Sequence, residues 1–150
     1  NSQYTGAQTT AARSDAGFMQ IAMKNGQLML SSNAAKVATV HFTNGSSRLD
    51  AQDRKVLRQV IALQKQNGGV IQIIGHASSR TRSMEPVTHK MVNYKVSVDR
   101  ADTIANEMVR LGAQKGSIMI GAVSDSQPLY YEVMPTGEAG NRRAEIFIGS

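Results

Sequence analysis

The spacing of apolar residues along the chain predicts an alternation of short strands and amphipathic helices. A β-branched run at residues 37–42 predicts the first strand, and residues 43–47 then form a loop rich in turn-forming residues. Asp50 stands where the N-cap of a helix is expected. The apolar residues of this helix recur at spacings of three and four: Val56, Leu57, Val60, Ile61 and Leu63. Asn-Gly-Gly at residues 67–69 predicts the end of the helix.

The remainder of the chain repeats this pattern with a longer helix. Residues 70–77 are almost continuously apolar, which predicts a strand that is covered on both faces. A helix is predicted from about residue 90 to residue 111, with Gly112 as its stop, and strands are predicted at residues 117–123 and 142–148. The order β-α-β-α-β-β indicates an α+β fold: a mixed sheet with the helices packed on one face.

The N-terminal segment is harder to assign. Residues 1–13 are small and polar and predict a flexible lead. From Ser14 a short helix is predicted, ended by Asn25-Gly26. The same Asn-Gly pair suits a hairpin between residues 18–24 and 27–31, but the Ala, Met, Gln and Lys content favours the helix. We therefore predict a lead with a short helix at residues 1–35 and a folded domain at residues 36–150.

Composition and charge narrow the function classes. A chain of 150 residues without Cys forms one modest domain with no disulfide and no thiolate-bound zinc. The net charge is +6, and residues 48–100 alone carry +6, so an anionic partner would be steered to the middle of the chain. Nucleic acid is not expected, because Tyr94 is the only aromatic residue between residues 43 and 129.

Motifs for catalysis or metal binding are not found in the sequence. The three histidines, His41, His76 and His89, lack the spacing of metal ligands. No activated-serine motif and no Gly-rich phosphate loop is present. We therefore expect no enzyme activity, no metal and no cofactor. No apolar run approaches the ~20 residues that cross a bilayer, so membrane association is expected only through a part outside this sequence.

One group of residues suggests a binding site. Asn93, Ser97 and Arg100 lie at i, i+4 and i+7 and would share one face of a helix, opposite the strand-end sequence Gly-His-Ala-Ser-Ser at residues 75–79. A guanidinium beside backbone N–H groups suits a carboxylate ligand. The alternative is that Arg100 pairs with an acidic neighbour on its own helix or is solvated. Those neighbours are Asp99, Asp102 and Glu107.

Four segments resemble, in order, the signatures of the OmpA-like peptidoglycan-binding domain. They are Val-His-Phe ending at residue 42, Ile-Ile-Gly-His ending at residue 76, Asn-Tyr-Lys-Val-Ser-Val-Asp-Arg-Ala at residues 93–101, and Asn-Arg-Arg-Ala-Glu-Ile at residues 141–146. The resemblance covers residues 36–148. It implies a β-α-β-α-β-β domain of the Gram-negative periplasm that holds the diaminopimelate residue of peptidoglycan stem peptides noncovalently, at the outer membrane or cell wall.

The resemblance also implies roles for individual residues. Arg100 matches the arginine that grips the diaminopimelate carboxylate, Asn93 matches the asparagine that lines the pocket, and Ser97 matches the serine that orders the helix. Asn44 and Ser46 belong to the loop that walls the pocket, and His76 and Ala77 belong to the strand end opposite. Asn141-Arg142-Arg143 matches a segment for which we expect ion pairing with Glu145 or a neighbour.

Two features depart from the family pattern. The family usually has Gly-His-Thr-Asp, whose Asp meets the ligand ammonium, whereas this chain has Ser78 at that position. A serine supplies no negative charge, which should weaken ammonium recognition by about 1–3 kcal/mol. Ser78 and Arg100 are also separated by 22 positions, about two helical turns more than is common in the family. Within the extra stretch, Glu85 is a candidate replacement for the missing carboxylate.

The expected function is therefore noncovalent binding of the peptidoglycan stem peptide through its diaminopimelate carboxylate, which tethers an envelope protein to the cell wall. The alternative is an OmpA-like domain that has lost this ligand and serves protein interaction or homodimer formation. Its contact surface would be the insertion before Asn93 together with Tyr130-Tyr131.

Overall fold

A computed structural model of the chain describes residues 17–25, 27–43, 46–77, 86–123 and 142–149, with the side chains of residues 86–93 outside the description. The described strands are β1 (Met19–Gln20), β2 (Met23–Lys24), β3 (Gln27–Leu28), β4 (Ala35–His41), β5 (Val70–Gly75), β6 (Ile118–Ala122) and β7 (Arg143–Gly149). The helices are α1 (Ala51–Asn67) and α2 (Pro86–Arg110), and a 3-10 turn spans Lys115–Ser117. Neither helix is apolar enough over its described length to span a membrane.

Five strands form one mixed sheet in the order β1-β6-β5-β7-β4. Strand β5 is central, and it runs parallel to β6 and antiparallel to β7. Strand β4 closes one edge antiparallel to β7, and β1 closes the other edge parallel to β6. The predicted α+β fold with a mixed sheet is confirmed.

Both helix boundaries of α1 follow from local chemistry. Asp50 accepts a hydrogen bond from the backbone N–H of Asp53 at 2.8 Å, and the Asp53 carboxylate accepts from the backbone N–H of Asp50 at 3.0 Å. The helix ends before Gly68 and Gly69, whose φ angles of 77° and 100° are favourable for glycine. Helix α2 begins at Pro86, earlier than predicted from the apolar pattern, because proline is well suited to the first helical turn.

The central strand is covered on both faces, as its composition predicted. On one face, Ile71 and Ile73 pack against both helices in the main core. On the other face, Ile74 packs with Ile21 and Val123 in a smaller cluster. The buried helical residues of the main core are Leu57, Val60 and Ile61 of α1 and Ala101, Ile104, Ala105 and Met108 of α2. The helices therefore lie on one face, and the N-terminal segment covers the other.

The helix predicted from Ser14 is wrong for the described residues 17–25. Strands β2 and β3 pair antiparallel, with Met23 opposite Leu28, and Asn25 turns the chain with a φ of 53°. The hairpin alternative is the one that occurs, because β1 gains a partner in β6 and Phe18 is buried in the main core. Tertiary contacts thus override the local helix preference. Residues from 17 onward pack on the domain that was predicted to begin at residue 36.

Candidate functional site

The site is positioned by a close approach between α2 and the end of β5. A Cβ atom on Gly75 would lie 1.9 Å from the backbone carbonyl oxygen of Ser97, so only glycine allows the helix to sit this close. Ser97 is fully buried at this contact. Arg100, one turn further along α2, is thereby brought against the residue that follows the strand.

The Arg100 side chain is buried and held by three backbone carbonyl groups. Its exposed fraction is 1%. Nε–H donates to the carbonyl of Ser46 at 2.9 Å, Nη1–H donates to His76 at 2.9 Å, and Nη2–H donates to Thr43 at 3.2 Å. Because a guanidinium has five N–H donors, these three bonds leave one further N–H on each terminal nitrogen.

Two of the three acceptors belong to one tight turn. The backbone N–H of Ser46 donates to the carbonyl of Thr43 at 3.0 Å, which folds the loop so that both carbonyls face the guanidinium. Phe42, at the start of the loop, places its ring 5.2 Å from Cζ of Arg100. Thr43 and Ser46 of the loop after β4 therefore lie against Arg100, and the role of this loop as a wall of a ligand pocket stays a prediction from the resemblance.

The positive charge of Arg100 has no carboxylate partner within the described part of the chain. Burial lowers its pKa to about 10, and the positive charge of Arg142 contributes to this effect. The Arg142 Nε–H donates to the carbonyl of Phe42 at 3.1 Å. Two of the three acidic neighbours on α2 have other partners: Asp99 pairs with Lys95, and Glu107 pairs with Arg110. The structure thus favours neither ion pairing along α2 nor solvation of Arg100.

A second buried arginine nearby is paired. Arg143, which is 3% exposed, lies with its Nε 3.3 Å from a carboxylate oxygen of Glu145. The same carboxylate accepts from Lys36 at 3.2 Å and from the ring of His76 at 3.0 Å. Hydrogen bonding from His76 and the nearby cations lower the pKa of Glu145 to about 2. The ion pairing expected for this segment is confirmed at Arg143.

His76 joins the two arginines. Its backbone N–H donates to the carbonyl of Arg143 at 2.8 Å, and its own carbonyl accepts from Arg100. Its ring is buried and donates Nε2–H to Glu145, since a carboxylate can only accept. Burial lowers the pKa of His76 and outweighs the opposite effect of the carboxylate. The ring is therefore neutral at pH 7 and serves as a structural link.

The structure brings some of the predicted site residues together. Arg100, His76 and Ser46 are in direct contact, Ala77 is buried beside His76, and Ser97 lies at the helix–strand contact. Asn93 is on α2, but its side chain is outside the description, as are residues Asn44, Ser78 and Glu85 and the Tyr130-Tyr131 pair. Sequence reasoning missed the contributions of the Phe42 ring and the Thr43 carbonyl.

Two cavities lie among the described residues. One, of about 480 Å³, borders the same loop and is lined by Phe42, Thr43, Ser46 and residues at the N-terminus of α1. The other, of about 130 Å³, is apolar and lies between α2 and the N-terminal hairpin. No group of three metal-ligating side chains occurs within the described ranges.

Comparison with known proteins identifies the fold family. The model of the OmpA family matches residues 41–142. No curated protein matches the chain. The span of the family match includes β5, α1 and α2 and every acceptor of Arg100.

Several solved structures share this fold. The OmpA-like domain of FopA1 from Francisella tularensis subsp. tularensis SCHU S4 is 22% identical with a TM-score of 0.60, over 80% of this chain and 76% of that one. The peptidoglycan-associated lipoprotein from Burkholderia pseudomallei is 20% identical with a TM-score of 0.62, over 73% and 88% of the two chains. The cell wall anchor of the T6SS from Pseudomonas aeruginosa is 21% identical with a TM-score of 0.62, over 80% and 90%.

Proposed function

The chain belongs to the OmpA family, and from that membership we propose that it binds peptidoglycan noncovalently and anchors an envelope protein to the cell wall. The domain is a binding module rather than an enzyme. Two of the structures that share its fold are named a peptidoglycan-associated lipoprotein and a cell wall anchor, which supports this role. The corresponding location is the periplasm of a Gram-negative bacterium, at the wall.

The observation that carries the proposal is the buried charge of Arg100, which has no carboxylate partner among the described residues. Burying a cation is costly unless an anion compensates it. Three carbonyl dipoles supply part of the compensation, but no carboxylate among the described residues completes it. A ligand carboxylate at the two remaining N–H donors would restore the balance, and a planar guanidinium is suited to hold both of its oxygens.

The ligand that fits is the diaminopimelate carboxylate of the stem peptide. Because Arg100 is 1% exposed, this carboxylate must enter by displacing a neighbouring segment. We propose that this segment is the loop that supplies two of the three carbonyl acceptors, because Thr43 and Ser46 also line the cavity of about 480 Å³. Recognition of the ligand ammonium is proposed to be weakened by Ser78 or to be taken over by Glu85.

A second function is favoured by a specific observation. Arg100 is so deeply buried that its three bonds also suit a purely structural role, in which case the domain serves protein interaction or homodimer formation. Exposed apolar side chains are available for such a contact. Tyr94 is 53% exposed and Met23 is 47% exposed, and both border the apolar cavity of about 130 Å³.

Binding to insoluble sacculi separates the two functions. The wild-type protein is expected to sediment with sacculi and to be released by a stem peptide that contains diaminopimelate. A stem peptide with lysine in its place lacks the second carboxylate and should release much less. This competition needs no mutation, so loss of folding plays no part in it. Absence of sedimentation, or equal release by the two peptides, would exclude diaminopimelate as the ligand.

The variant Arg100→Lys then tests whether the peptide binds at Arg100. Arg100→Lys keeps the charge but loses the planar pair of donors. We expect its affinity for the diaminopimelate peptide to fall by about tenfold to a hundredfold, the range of a lost charge-assisted hydrogen bond. An unchanged affinity in a folded Arg100→Lys protein would place the ligand elsewhere.

A further inference from the structure

Basic residues of α1 form a stripe that the Arg100 site does not use. Arg54, Arg58 and Lys65 lie at i, i+4 and i+11, so they share one side of the helix. Arg58 and Lys65 are exposed, as is the neighbouring Lys55, and Arg54 is half-buried. Of the buried residues of α1, Leu57 and Val60 lie away from this stripe, and Ile61 borders it. The positive charges therefore border solvent along most of the helix.

The stripe lies near Glu107 in the C-terminal half of α2. Arg54 and Arg58 both lower the pKa of Glu107, to which Arg110 is hydrogen-bonded. Glu107 thus interacts with three guanidinium groups, of which Arg54 also interacts with the carboxylates of Asp50 and Asp53. At the far end, Nζ of Lys65 lies 3.7 Å from where a Cβ on Gly112 would be. The side of α1 that lies near Glu107 and Gly112 therefore carries more basic than acidic groups.

The stripe is continuous with the loop that holds Arg100. Arg54 donates Nη1–H to the carbonyl of Leu49 at 3.3 Å. The backbone N–H of the exposed Arg48 donates to the Ser46 hydroxyl at 3.0 Å, and the Ser46 carbonyl accepts from Arg100. At about 1.5 Å per residue, the helix carries this series of charges roughly 16 Å beyond Arg54. A line of cations thus leads away from the proposed carboxylate site.

A small ligand held at Arg100 would not reach charges spread over this length. A polymer that carries carboxylates at intervals would reach them, because each cation can attract a different carboxylate. The surface residues concerned carry a net charge of +3: Arg48, Arg54, Lys55, Arg58, Lys65 and Arg110 against Asp50, Asp53 and Glu107. We propose that the outer side of α1 is a cationic track for further stem-peptide carboxylates of the same peptidoglycan, an inference that rests on the proposed function.

The test is binding to sacculi at two ionic strengths, about 0.03 M and about 0.3 M, because exposed charges are screened by salt. The variant Lys55→Gln/Arg58→Gln removes two exposed charges from the track. Its matched control, Lys24→Gln/Lys95→Gln, removes two exposed charges elsewhere. We expect the track variant to bind about three- to tenfold more weakly than the control at low salt, with the difference largely lost at high salt. Equal binding by the two variants at low salt would contradict the proposal that α1 carries a cationic track.

Further measurements keep this inference separate from the proposed function. Arg100→Lys should lose affinity at both ionic strengths, because its contact is buried. If Arg100→Lys binds normally while the track variant is impaired, the Arg100 site fails and the track stands. Vesicles of phosphatidylglycerol and of phosphatidylcholine test the other anionic surface. If the track variant loses binding only to phosphatidylglycerol and not to sacculi, the surface serves a membrane and the proposal is wrong.

Discussion

Two buried arginines on either side of His76 are stabilised in different ways. Arg143 is 3% exposed and has Glu145 as its counterion, 3.3 Å away. Arg100 is 1% exposed and has three carbonyl groups, with no counterion in the described part of the chain. A carboxylate counterion compensates the charge of a buried arginine, whereas carbonyl dipoles only partly offset the cost of burying a cation. Arg143 thus meets the requirements of a structural residue, whereas the surroundings of Arg100 are compatible with its proposed role in anion binding.

The largest effect is expected from a change that disturbs Arg100 and spares Arg143. Gly75→Ala places a methyl group in contact with the rigid backbone of α2, so the helix must move away from His76. We expect the free energy of unfolding to fall by about 3 kcal/mol or more, measured by urea denaturation, together with loss of binding to sacculi.

The control for this change is Gly116→Ala. A Cβ on Gly116 would meet nothing within 4 Å, so this variant should remain close to wild type. A Gly75→Ala protein that is as stable as the Gly116→Ala protein would show that the close approach does not position Arg100.

Of the two arginine environments, that of Arg143 is expected to respond to acid. The pKa of Glu145 is about 2 in the folded protein against an ordinary 4.5, so the unfolded chain takes up the proton first. Its stabilising effect is present above about pH 5 and is lost as the pH falls to 2, by up to ~3 kcal/mol. The lowered pKa of His76 has the same sign and begins to act below its ordinary value of 6.5. Arg100 stays charged throughout.

Unfolding measured between pH 7 and pH 2 checks this prediction. Glu145→Gln should be less stable than wild type at pH 7 by about 2 kcal/mol, since Arg143 loses its counterion and the neutral His76 ring loses the charged acceptor of its Nε2–H. The stability of this variant should also fall much less below pH 5 than that of the wild type. The fall that remains comes from other acids such as Asp50, whose pKa is also lowered. Equal pH dependence in the two proteins would mean that Glu145 is not the titrating group.

A smaller effect is expected from the ring over Arg100. Phe42→Leu removes the cation–π contact at 5.2 Å, and we expect a loss of about 1 kcal/mol in stability and a few-fold loss in peptide affinity. Phe18→Leu is the matched control, because this buried ring contacts Lys115 far along the sheet from the site. It should lower stability similarly and leave affinity unchanged. Wild-type peptide affinity in the Phe42→Leu protein would show that the Phe42 ring does not contribute to binding at Arg100.

Most of the fold could be predicted because its signals are local. The Asp50 cap, the glycines after α1 and the apolar run of β5 each specify a feature within a few residues of sequence. The N-terminal hairpin could not be predicted in this way. Its sequence favours a helix, and only the pairing of β1 with the distant β6 decides against it.

The site was only partly predictable for a related reason. Arg100 and the strand end at His76 were singled out by helical spacing and then by resemblance to a family, and Ser46 by the resemblance alone. Neither source gives the contacts of these residues. The acceptors of Arg100 lie 24 to 57 residues away and are backbone carbonyls, which carry no side-chain signature. Neither the burial of the guanidinium nor the missing counterion could be inferred before the loop and the helix were placed together.

The most direct test follows the guanidinium N–H resonances of both arginines by NMR while a diaminopimelate stem peptide is added. The account predicts that the Arg100 signals shift and saturate with the peptide, because a carboxylate joins its two remaining donors, while the Arg143 signals stay in place. Saturable peptide binding that leaves the Arg100 signals unchanged would contradict the assignment of Arg100 as the anion site.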